Sequence, residues 1–192
     1  MTTVVTAAVE SPVTLQEVKD HLRIDVTDDD RLLNSLIYAA TAYCEKVANR
    51  SFVSRTLDWT LDRFPPATGF YLPRPPVVSV TSITYIDEDG NSDTVSSSNY
   101  IVDTDSGRVA LTNAGEWPSV TLRRIAGVTI RYVAGYGTTR SSVPETFRHA
   151  VLLVIGDWYE HRENSIIGQT SKAVDIGVSR LLMVDKNYIG LM

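Results

Sequence analysis

The spacing of apolar residues changes twice along this chain, from helical to alternating and back to helical, and this order of periods limits the fold more than any single motif does. From Thr14 to about Arg50 the repeat is helical. Thr14 with Glu17 three residues later forms a capping box, in which side chains satisfy helix-start amides that have no partner inside the helix. Leu15, Val18 and Leu22 then mark one face of a short helix. After "RIDVTDDD", Thr27 and Asp30 repeat the capping pattern, and Asp28, Asp29 and Asp30 suit the positive end of a second helix. Leu33, Ile37, Ala40, Cys44 and Val47 follow as a single core stripe. The expectation is an N-terminal helical hairpin over residues 14–50.

From Phe52 to about residue 134 the period shortens to two. Leu57, Trp59 and Leu61 alternate with polar residues, and β-prone runs recur at "VVSVTSITYI", "YIVD", "GRVALT", "SVTLRR" and "GVTIRYV" between turn-formers. This predicts an antiparallel β region over 52–134. "IDEDGNSD" lies between two runs, and its Asp89-Gly90 is a hairpin signal because glycine tolerates positive φ. Its carboxylates suggest calcium, but the glycine is displaced from its place in an EF-hand loop and no glutamate closes the loop, so a solvated turn is preferred.

Pro144 opens a second helical stretch, a long helix near 144–163. Phe147, Val151, Val154, Ile155, Trp158 and Tyr159 share one side, so the aromatics of "WYEHREN" continue a core stripe and the charges Glu160, Arg162 and Glu163 face water. The fold class is therefore α+β. Residues 165–192 have scattered Ile, Val, Leu and Met, and room for one short helix, "VSRLLMVDKNY". Such a segment is too apolar for a solvated linker and too short of self-packing to order alone, which predicts an extended docking tail beyond a domain spanning 1–164. Ile176, Val178, Leu181, Leu182 and Tyr188 supply most of its bulky apolar area.

Composition narrows the function. A net charge of −5 argues against broad gripping of nucleic acid phosphates, which needs an excess of Lys and Arg. Cys44 is the single cysteine, so no intramolecular disulfide forms, and its place on the core stripe favours an inert thiol. The first residues lack the basic and apolar regions of a signal peptide, and no apolar run approaches the roughly 18 residues of a membrane span, so synthesis in the cytoplasm without a membrane role is expected.

Catalytic and metal sites lack partners in the sequence. His21, His149 and His161 all lie on helical segments. Asp157 and His161 at i, i+4 could form a metal edge, but no second cluster supplies the further ligands that zinc requires. "GYG" at 135–137 lacks the spacing of a phosphate loop. The Asn49-Arg50-Ser51 sequon has little force without a secretory signal, and Arg123 with Arg124 is more often a solvent-facing or interface pair than a phosphate grip. No cofactor is expected, and the chain reads as a non-enzyme.

Four stretches in order, "VTLQEVKDHLRIDVTDDDRLLNSLIYAATAYCEKVANRSF", "LPRPPVVSVTSITYIDEDG", "VTIRYVAGYG" and "VPETFRHAVLLVIGDWYEHREN", resemble the head-tail connector proteins of tailed phages, also called adaptor or head completion proteins, and their gene-transfer-particle relatives. That resemblance implies a structural virion protein at the neck. It implies a homo-oligomeric ring of about twelve copies beneath the portal protein, in heterologous contacts closed by rotation. The ring would meet a stopper or tail protein, and DNA would pass its lumen without specific binding. An acidic balance suits such a lumen, since it repels phosphate. The tail residues Ile176, Val178, Leu181, Leu182 and Tyr188 would dock on the portal. Two alternatives stand beside this: a stopper or tail-terminator neck protein, and a metal-dependent hydrolase built on His161 and nearby carboxylates.

Overall fold

The structure is a computed structural model and describes residues 1–161 and 172–183. In chain order it has β1 (Thr2–Thr6), α1 (Leu15–Leu22), α2 (Asp30–Ala48), β2 (Arg55–Leu61), β3 (Phe70–Tyr71), β4 (Val77–Ile86), β5 (Ser92–Thr94), β6 (Tyr100–Asp103), β7 (Arg108–Leu111), β8 (Val128–Ala134), α3 (Glu145–Glu160) and α4 (Lys172–Met183). It is a mixed α/β chain whose paired strands are antiparallel.

Local chemistry explains where the helices begin and end. The Thr14 capping box forms in full: the Glu17 amide donates to Thr14 Oγ1 at 3.1 Å, and the Thr14 amide donates to Glu17 Oε2 at 2.6 Å. Arg23 and Asn49 adopt left-handed φ values of 57° and 52° at the C-caps of α1 and α2, which turns the chain and lets each cap amide reach back to the last carbonyls. The second capping box does not form. Asp29 is the N-cap of α2 without a side-chain cap bond, and Asp30 instead accepts from Lys19 Nζ at 2.8 Å, tying α1 to α2. A partly buried lysine competes for that carboxylate, and the tertiary ion pair prevails over the local cap.

Buried apolar side chains form two separate clusters. One is helical: Val18, Leu33, Ile37, Ala40, Cys44, Ala48, Phe147, Val151, Val154 and Ile155, with Phe52 stacked on Phe147 at a ring-centroid distance of 4.9 Å. Val47 and Trp158 are half-buried against it. The other cluster lies in the β region, where a five-stranded sheet of order β1-β2-β8-β4-β5 and a three-stranded sheet β3-β7-β6 share Leu57, Leu72, Ile83, Val109, Ile130 and Tyr132. The chain crosses between them near residues 51–54 and again near 135–140. There the Ser54 amide donates to the Gly137 carbonyl at 2.8 Å, and the Tyr136 amide donates to the Phe52 carbonyl at 2.8 Å. Gly135 is required at this crossing. Its φ is +140°, and a Cβ would stand 2.4 Å from Ser54 Cα.

Three further features depart from the sequence expectations. β1 adds an edge strand before α1, at a segment whose period gives little sign of it. "SVTLRR" is not a strand but a loop with one isolated bridge, Leu122 to Asp87, because the chain turns immediately after it, with Ala126 at φ 55°. The segment expected to be an extended tail is, over Lys172–Met183, a helix that buries Val178 and Leu182 in the helical cluster against α2 and α3. Its stripe at i, i+4 finds an apolar partner within its own chain, on α2 and α3.

Candidate assembly surfaces

The "WYEHREN" helix end is chiefly a packing device. Trp158 meets Tyr43 edge-on at 5.7 Å, and the Tyr159 hydroxyl donates to Asp29 Oδ2 at the start of α2. His161 Nδ1 lies 2.9 Å from the Asp157 carbonyl oxygen and 3.2 Å from Asp157 Oδ1, so its contacts are with its own helix. Arg162 and Glu163 lie outside the described residues. His21 and His149, far apart in sequence, come together across α1 and α3 with ring centroids 6.3 Å apart. Among the described residues no group of three or more His, Cys, Asp or Glu side chains is arranged to hold a metal ion. No described helix is long and apolar enough to cross a membrane.

Cys44 is fully buried, and burial, with a smaller push from the neighbouring Glu45, raises its thiol to about 12. It is protonated at any physiological pH. Asp87 in the β4–β5 turn is likewise committed: its carboxylate accepts from the Asn91 amide at 2.8 Å and from Asn91 Nδ2 at 2.9 Å. Those bonds hold its carboxyl below the usual range and complete a hairpin turn with Gly90 at φ 89°.

Arg148 knits the helical unit together. It reaches Glu17 and Glu145, and donates from Nε to the Pro12 carbonyl at 3.0 Å. Burial works to raise the Glu17 carboxyl, but the Thr14 hydrogen bonds and then Arg148 outweigh it, and the net direction is down.

Two features were not legible in the sequence. Glu45, beside the core stripe, is buried and pairs with Arg55 where the helical and β units join. A cleft of about 180 Å³ opens above that pair, walled by Ala8, Val9 and Pro12 of the N-terminal segment and by Tyr38 and Ala42 of α2. Val9 and Tyr38 at this cleft are 90% and 71% exposed. A lone Glu next to a stripe signals that something must meet it, but only the folded chain shows what.

The tail anchors divide. Val178 and Leu182 face inward, Leu181 is half-buried, the Ile176 side chain and Tyr188 lie outside the described residues, and Met183 is 51% exposed.

Comparison with solved structures gives close likeness over nearly the whole chain. A chain from the neck of an empty gene transfer agent particle computed with C6 symmetry is 25% identical, with a TM-score of 0.79 over 99% of this chain and 98% of that one. A chain from the virion of a native gene transfer agent particle is 24% identical, with a TM-score of 0.78 over 99% and 98%. A chain from the neck of the native particle computed with C12 symmetry is 24% identical, with a TM-score of 0.74 over 94% of each chain. The latter two speak to the fold alone. Comparison with curated proteins gives no match. Fold and likeness together define the class, a structural virion protein of the head–tail junction. The chain belongs to the head completion protein family, which matches residues 13–175.

Proposed function

We propose that this chain forms a ring of about twelve copies under the portal, joins the head to a stopper or tail protein, and leaves a channel through which DNA passes without specific binding. The observation that carries this reading is the end-to-end likeness to a neck chain from a particle computed with C6 symmetry, at 25% identity and a TM-score of 0.79. A net charge of −5 supports it physically, because an acidic lumen repels phosphate and lets the duplex slide. Portal docking through residues 165–192 is part of the proposal. With Val178 and Leu182 turned into the helical core, docking falls to the outer side of α4, including Met183, and to the residues that follow it. Incubation of the purified protein with portal-bearing, tailless heads tests the reading. Cryo-EM should show a cyclic layer on the portal vertex. Binding to tail tubes with no layer on portal would shift the protein to the stopper or tail-terminator role, and binding to neither would end both.

A further inference from the structure

At the end of the five-stranded sheet farthest from the helical unit, the turn after β2, the loop before β8 and the β4–β5 hairpin lie side by side. The register puts them there: Leu61 faces Val128, Val128 also faces Tyr85, and Ile86 faces Ser92. Arg55, Ala134 and Val77 line up at the other end, where Arg55 meets Glu45 of α2. The length of β2 alone sets the two ends roughly 20 Å apart. α4 packs against α2 and α3, so these turns and α4 stand on opposite sides of the junction between the units.

The middle loop carries Ile125, 77% exposed. A lone exposed apolar residue on a loose loop is ordinary, but this one is held still. Arg123 donates from Nε and Nη2 to the Ala126 carbonyl at 3.0 and 2.7 Å, and the Ala126 amide donates to Asp62 Oδ1 in the turn after β2 at 2.9 Å. Ala126 keeps a left-handed φ of 55°, which a residue with a Cβ disfavours. On the other flank the Arg123 amide donates to the Ile86 carbonyl at 3.1 Å, and the Glu88 amide donates to the Thr121 carbonyl at 3.0 Å. Gly127 lets the turn close tightly, since a Cβ there would stand 2.9 Å from the Arg123 carbonyl oxygen and 3.2 Å from that of Asp62.

This bracing uses neither the Ile125 nor the Arg124 side chain. Arg124 is exposed and, among the described residues, forms no ion pair. The fold therefore fixes one bulky apolar group and one free guanidinium in water, with exposed Arg63, Glu88 and Asp89 around them as a mixed-charge rim. An apolar anchor inside a polar rim is the usual make-up of a binding surface, and an anchor ordered in advance loses little freedom when it is buried.

We propose that this pinned turn receives the protein on the side of the ring away from the portal, Ile125 entering an apolar pocket of that protein and Arg124 meeting a carboxylate at the pocket's rim. The proposal rests on the ring reading above. That reading puts the portal at α4 and the residues after it, which leaves the opposite end of the subunit for the stopper or tail.

A joining assay tests it. Portal-bearing, tailless heads are loaded with wild-type or variant protein and mixed with isolated tails of the same particle, and joined particles are counted by electron microscopy. Ile125→Asp and Arg124→Glu change exposed side chains, so each should melt like wild type and form the same cyclic layer on the portal, while joining falls by about tenfold or more. Ile125→Val keeps an apolar tip and should lose no more than about fivefold. Joining at the wild-type level by Ile125→Asp or by Arg124→Glu would overturn the proposal. So would a folded variant that builds no layer, because the turn would then face the portal or a neighbouring copy. A wild-type chain that builds no layer, or a wild-type layer that captures no tails, would overturn the ring reading itself.

Discussion

Glu45 of α2 and Arg55 of β2 form an ion pair at the junction of the helical and β units, and the Phe52 amide donates to the same carboxylate oxygen, Glu45 Oε1, at 2.8 Å. Burial raises the Glu45 carboxyl even though Arg55 pulls it down. The pair therefore fixes how the units meet more than it adds to stability. Glu45→Ala should cost about 3 to 5 kcal/mol, because it strands a buried guanidinium and the Phe52 amide, while Glu45→Leu with Arg55→Met removes the stranded charge but leaves that amide unpaired and should cost only about 1 to 3 kcal/mol. Urea titration of both variants checks the ranking. Equal losses would show that the pair itself is the main stabiliser.

Trp158 is half-buried against Tyr43, so Trp158→Ala should lose about 2 to 3 kcal/mol, less than the roughly 3 to 5 of a fully buried ring. His161→Ala, at the exposed helix end, should change stability by no more than about 0.5 kcal/mol. Denaturation curves with the order reversed would make His161 more than a surface residue.

The Glu17 carboxyl is held below its ordinary value of 4.5, so the folded state binds its proton more weakly than the unfolded chain does. The stability it contributes is present above pH 4.5 and is lost as the pH falls through the lower folded value. Glu17→Gln should therefore destabilise by about 1 kcal/mol at pH 7 and progressively less on acidification. Thermal melts of both proteins between pH 7 and strong acid measure the gap, and a constant gap would contradict the assignment.

With its thiol raised to about 12 and its side chain fully buried, Cys44 should resist an aromatic disulfide reagent in the native protein at pH 8 and react at once in denaturant. Fast native labelling would place Cys44 at a region that opens readily.

Deletion from Ala173 onward removes Val178 and Leu182 from the helical core, so it should lower the melting temperature of the helical unit. Deletion after Met183 should leave melting near wild type and weaken only retention on the portal. If the longer deletion melts like wild type, α4 contributes little to the folded subunit.

The sequence alone determined the order α1, α2, β2, β4, β6, β7, β8 and α3, because amphipathic period is local and each long element repeats it several times, whereas the two- and three-residue strands β3 and β5 are too short to show a period. β4 occupies the run "VVSVTSITYI" from end to end, and the Thr14 cap forms with its predicted partner. Tertiary structure decided what local period cannot carry. Lys19 took Asp30 from its cap, β2 recruited β1 as an edge strand, and the groove between α2 and α3 made α4 a core helix. Each of these partners lies elsewhere along the chain, and pairing between distant residues is not written in the period of either segment.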